Sequence, residues 1–141
     1  LTVRGIRGLN VTLHLQANVQ KRLAIGTRTP LGALLAGAIN AKTLDLSDPD
    51  YHGRVASSED PLWALGILTD EEVKAALLRL TQDASAVDIR TVYTAPGEVV
   101  LSLARIPLDS LTTAAVSGWL DDLATVAQAV ESQIGYVSPQ T

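Results

Sequence analysis

The sequence predicts an α+β domain, an antiparallel sheet with amphipathic helices packed on one side and a long helix at the C-terminal end. Three patterns carry that expectation. Apolar residues alternate with polar ones at Leu9, Val11, Leu13 and Leu15. They do so again at Val87, Ile89, Thr91 and Tyr93, and at Val99, Leu101 and Leu103, the period of a strand with one buried face. Val73, Ala76, Leu77 and Leu80 recur at helical spacing, and a longer stripe of Val116, Trp119, Leu120, Leu123, Ala127, Val130 and Ile134 marks one face of a helix of about six turns. Strands gathered into hairpins beside such helices, rather than alternating with them one by one, favour α+β over a parallel sheet.

Taken in order, residues 2–6 and 9–16 form a first hairpin around the Arg7-Gly8 step, glycine accepting the positive φ of a tight turn. A weaker strand follows over residues 21–26, so the first segment reads as a small antiparallel meander with Arg4, Lys21, Arg22 and Arg28 on its polar face. Residues 30–52 read as a connector holding a short helix or buried turn, and residues 54–57 as a short strand. Ser58 before Glu59, Asp60 and Pro61 is a helix-start pattern for a short helix ending near Gly66. Thr69-Asp70-Glu71-Glu72 is a capping box, hydroxyl cap and glutamate three residues on, for the helix carrying Val73 to Leu80. Ala95-Pro96-Gly97 turns the second hairpin. The last helix is expected from Asp109 onward. Trp119→Ala is expected to cost about 3–5 kcal/mol if its ring is enclosed.

At 141 residues, 47% apolar and 18% charged, the chain suits one domain, expected over residues 1–137 with a frayed tail at 138–141. With no Phe, Met or Cys, its core is aliphatic, assisted by Trp63, Trp119 and three tyrosines. The absence of cysteine excludes disulfides, thiol nucleophiles and thiolate metal sites, and a cytoplasmic address is the expectation. The chain opens at Leu1, inside an expected strand and without methionine, which points to a longer protein. The longest low-polarity stretch, residues 31–39, is roughly half the ~20 residues a membrane span needs and contains Gly32 and Gly37.

Charge is unevenly distributed. Residues 1–44 hold six basic and no acidic side chains, residues 45–141 five basic and fifteen acidic, so a net −4 conceals +6 joined to −10. Such a split steers an anionic partner to one end or holds the two parts of one fold together. Arg4, Arg7, Lys21, Arg22 and Arg28 are the candidate binding residues. Stacking aromatics are missing from residues 1–44, which disfavours nucleic acid and leaves a protein or an anionic membrane surface as the expected partner.

Catalytic signatures are weak. Asp48, Asp50 and His52 alternate, so an extended segment would turn all three one way, and a metal-assisted hydrolase built on them is the alternative functional reading. The same residues are ordinary turn chemistry, and no second ligand cluster accompanies them. Neither histidine sits near a Gly-x-Ser-x-Gly nucleophile motif, and Glu71-Glu72 and Asp121-Asp122 diverge by about 100° on their helices. Gly5-Ile6-Arg7-Gly8 lacks the spacing and the following helix of a phosphate cradle, so no cofactor is expected.

Residues 43–133 also carry a series of short motifs: Asp48-Pro49-Asp50-Tyr51, a strand over 53–57, Glu59-Asp60-Pro61, leucine-rich residues 65–68, and a helix over 69–80. In these, in the hairpin and long helix that follow, and in the Gly5 to Gly8 strand entry, the chain resembles an uncharacterised family of bacterial domains. Phe is more usual after Asp-Pro there, where Tyr51 stands here. The resemblance implies the cytosolic part of a membrane-associated protein and carries no catalytic residue. The expectation is therefore a non-catalytic interaction or scaffold domain, placed in the cytoplasm or peripheral to the inner membrane. Self-association is a further option, the basic end of one copy meeting the acidic end of the next.

Overall fold

The computed structural model describes residues 2–5, 9–27, 42–44, 46–82 and 89–137. Seven strands form one sheet: β1 (Thr2–Gly5), β2 (Leu9–Gln16), β3 (Leu23–Gly26), β4 (Lys42–Thr43), β5 (Val55–Ser58), β6 (Ile89–Ala95) and β7 (Glu98–Ile106). Their order is β1-β2-β7-β6-β3-β5-β4, and every neighbouring pair is antiparallel. Three helices, α1 (Pro61–Leu68), α2 (Glu71–Leu80) and α3 (Thr113–Val137), complete the α+β architecture.

The alternation read from the sequence fixes the faces of β2 and β7, but on β6 it marked Ile89, Thr91 and Tyr93, whereas Val92, of the other parity, stands in the core row. Val11, Leu13 and Leu15 lie opposite Leu103, Leu101 and Val99, and Val92 continues that row on β6. These residues join Ile25, Ala56, Trp63, Leu77 and Leu123 in one core, so the helices share a single face of the sheet. β5 and β6 are both antiparallel to β3 and thus parallel to each other. Such a pair needs a long crossover, which α1 and α2 provide.

The first segment is not a meander. β2 and β3 do not pair; the β6–β7 hairpin lies between them, β2 on β7 and β3 on β6. Ala17 and Val19 carry the chain past the hairpin turn, Ala17 N–H donating to the Gly97 carbonyl and Gly97 N–H to the Val19 carbonyl. Thr94 then bridges to β3, its hydroxyl accepting from Leu23 N–H and donating to the Lys21 carbonyl. Local periodicity finds strands but says nothing about a later hairpin inserted between two earlier ones. β4 is short and pairs with β5 inside the stretch read as connector. The Arg7-Gly8 turn, residues 28–41, Val87 and the tail at 138–141 lie outside the described residues.

Both helix starts move by one or two residues. Asp60, not Ser58, caps α1, its carboxylate accepting from Trp63 N–H. Ser58 ends β5 and donates to the Arg22 carbonyl instead. Asp70, not Thr69, caps α2, accepting from Glu72 and Val73 N–H. Thr69 closes α1, its hydroxyl donating to the Leu65 carbonyl. Aspartate is as good a cap as serine or threonine, so two adjacent candidates compete and the turn joining α1 to α2 decides. The last helix starts at Thr113 after a 3-10 turn at Leu108–Ser110, and Ala115 N–H donates to the Thr112 hydroxyl.

One strand position is strained. Between the pairs Leu9↔Ile106 and Val11↔Leu103, two residues of β7 face Asn10 alone. Arg105 takes φ +61 there, with its N–H on the Asn10 side-chain oxygen. That is the geometry of a β-bulge in which glycine is the usual occupant.

Candidate interaction surface

The five basic residues singled out in the sequence do not form one free patch among the described residues. Arg4 lies on the edge strand β1 opposite Asn10. Arg7 and Arg28 fall outside the described residues. Lys21 is tied to Asp60 at 2.7 Å, with its ammonium 5.9 Å from the centre of the Trp63 ring. That hydrogen bond, with Trp63 N–H, holds the Asp60 carboxyl below its ordinary pKa. Arg22 is half-buried, and its backbone N–H donates to Glu59.

The two aspartates of the Asp48, Asp50 and His52 cluster are likewise committed, while the His52 side chain is exposed at the end of the turn. Asp48 caps a 3-10 turn, Pro49–Tyr51, by accepting from Asp50 N–H. Lys74 of α2 reaches both carboxylates, at 3.1 Å to Asp48 and 3.0 Å to Asp50, with only 14% of its side chain exposed. The Asp50 N–H and the Lys74 ammonium lower the Asp48 pKa, and the two carboxylates raise that of Lys74. Tyr51, in the same turn, is buried and donates to the Leu68 carbonyl at 2.6 Å; burial pushes its phenol up to about 12. The turn is a clamp joining the segment before β5 to α1 and α2. Among the described residues no three Asp, Glu or His side chains are gathered to hold a metal ion.

What remains open is at the start of α3. Of the stripe expected to be buried along the helix, Leu123, Ala127 and Val130 are buried, with Val126 beside them, while the Ile134 side chain lies outside what the structure describes. Val116 and Trp119 are half-buried and Leu120 is 40% exposed, while Leu108, in the preceding 3-10 turn, is 74% exposed. Trp119 is therefore not an enclosed core ring; Trp63 is, at 3% exposure. A groove of about 530 Å³ opens here, with Leu111, Val116 and Leu120 as its apolar wall and Thr113, Ser117 and Asp121 beside them. That volume lies within the roughly 300–1,000 Å³ usual for ligand pockets.

Comparison with protein-family models, curated proteins and solved structures finds no match. The groove must be read from its own chemistry.

The groove's described lining is mostly apolar and hydroxyl-bearing. Its polar members are hydroxyls and one carboxylate, with no histidine, lysine or second acid among the described lining to form an acid–base pair. Asp122 beside it is held by Arg79 at 2.8 Å, and the Arg90 guanidinium lies 6.0 Å from the centre of the Trp119 ring. A smaller groove of about 230 Å³ runs between the α1–α2 junction and α3, where Asp70 is occupied in capping. No helix among the described residues is long and apolar enough to cross a membrane. Sequence reasoning assigned Val116 and Leu120 to the core because periodicity marks an apolar face without saying which part is covered. One signal was present: from Ile106 to the end, the chain has no Lys, Arg or His.

Proposed function

We propose that this domain is a non-catalytic protein-interaction module that receives its partner in the groove at the start of α3. The observation that carries this reading is the division of one helix, whose stripe is sealed at Leu123, Val126, Ala127 and Val130 and only partly covered at Val116, Trp119 and Leu120. An exposed Leu120 beside the half-buried Leu111 and Val116 around a concavity marks a contact site, whereas an isolated exposed residue such as Leu62 on α1 is ordinary. A lipid-facing role for the basic residues has less support, since Lys21 is neutralised by Asp60. The hydrolase alternative has less still, since Lys74 occupies both aspartates.

Site-specific photo-crosslinking in cells tests the proposal. A photoreactive residue at position 120 is expected to give a discrete protein adduct, and one at position 14, on the far face of the sheet, none. Equal adducts from both positions, or none from position 120, would overturn it.

A further inference from the structure

The charge around the groove points to what it accepts. Asp121 lines the groove and Asp109 stands two residues before Leu111, the first lining residue. Neither carboxylate forms an ion pair with a described residue. The cations that reach α3 are engaged elsewhere, Arg79 on Asp122 and Arg90 at the Trp119 ring. Between Ile106 and Thr141 there are four carboxylates and no basic side chain. The apolar wall of Leu111, Val116 and Leu120 is thus set in an anionic surface.

Resting on the reading of this groove as the binding site, we infer that its occupant is a short amphipathic segment of a partner protein, with aliphatic anchors on one face and lysine or arginine flanking them. The anchors fill the space between Leu111 and Leu120. The flanking cations meet Asp109 and Asp121, carboxylates that stay solvated and unpaired until the partner arrives. Positions 113 and 121 are about 12 Å apart along a helix at 1.5 Å per residue, so a little over two turns of a docked helix span the site. The same charges disfavour other occupants. Nucleic acid and anionic lipid are repelled, and two copies meeting groove to groove would oppose carboxylate to carboxylate with no cation between them.

The probe is a 16-residue synthetic helix of Leu, Ala and Lys, with Leu at helical spacing and Lys at both ends, titrated into the whole chain and followed by amide chemical shifts. A second peptide replaces each Lys by Glu, and a third by Gln. The lysine peptide is expected to shift amides from 108 to 121. Its affinity should fall about five- to tenfold in the Asp109→Asn/Asp121→Asn double variant, the loss of two solvent-exposed ion pairs, and binding should be lost in Leu120→Ser. If the glutamine peptide binds the same amides as tightly as the lysine peptide, the cationic requirement is wrong while the groove reading survives. If the lysine peptide shifts amides evenly over the acidic surface, or binds Leu120→Ser unchanged, both fail. Concentration-dependent dimerisation that Leu120→Ser abolishes would replace the partner segment by a second copy.

Discussion

The start and the middle of α3 have nearly the same apolar spacing and opposite fates. Leu123, Val126, Ala127 and Val130 are all 4% exposed or less, packed in the core with Leu101, Leu103 and Leu77. One turn earlier Leu120 is 40% exposed, and Leu108 before the helix reaches 74%. Burial of large aliphatic side chains is worth about 1.5–3 kcal/mol each, so a stripe half left in water forgoes stability that a second layer would supply. Exposed aliphatic residues beside a groove also invite non-specific association. A surface that carries both costs is the natural candidate for a partner.

Several substitutions sharpen that contrast between covered and uncovered apolar residues. The largest effect is expected at the enclosed tryptophan: Trp63→Ala should cost about 3–5 kcal/mol in denaturant unfolding, against about 1–2 kcal/mol for the half-buried Trp119→Ala. Equal costs would mean that the start of α3 is as tightly packed as α1. Tyr51→Phe should cost about 1–2 kcal/mol by leaving the Leu68 carbonyl without its donor. Because burial raises the Tyr51 pKa to about 12, the folded state keeps the phenol protonated after the unfolded chain has begun to ionise near 10. The contribution of Tyr51 is therefore complete below pH 10 and lost as pH rises through 12, and Tyr51→Phe should flatten that alkaline limb.

Smaller effects are expected at the surface. Arg105→Gly should stabilise by about 0.5–1 kcal/mol, since φ +61 strains any residue with a Cβ. A loss instead would mean that the arginine side chain makes a contact worth more than the strain. At the clamp, the Asp48 pKa is lowered, so its contribution is full above the ordinary carboxylate value and lost as pH falls through the lower folded value. Lys74→Met should weaken that acid dependence in a pH series of melting temperatures. An unchanged series would show that the Asp50 N–H alone sets the shift.

The fold class and the faces of β2 and β7 were legible because period-two alternation is a local property, and Val11, Leu13, Val99 and Leu101 obey it; on β6 the alternation of Ile89, Thr91 and Tyr93 marked the face away from Val92, which is the one in the core. The insertion of β6–β7 between β2 and β3 was not, since strand order depends on contacts across more than seventy residues, such as Thr94 with Leu23. The clamp was half legible: Asp48-Pro49-Asp50 announced a turn, but Lys74 lies twenty-four residues beyond Asp50 with nothing local to link them. The groove was hidden by the same stripe that revealed the helix. Only the missing cations after Ile106 set that end of the chain apart.

The measurement that bears most directly on the division of α3 is the unfolding free energy of Leu120→Ala beside Leu123→Ala. Leu123 is fully buried and should cost about 2–5 kcal/mol, while the partly covered Leu120 should cost only about 1 kcal/mol. Comparable losses at both positions would contradict the account, because they would place Leu120 in the core and leave no open apolar surface at the start of the helix.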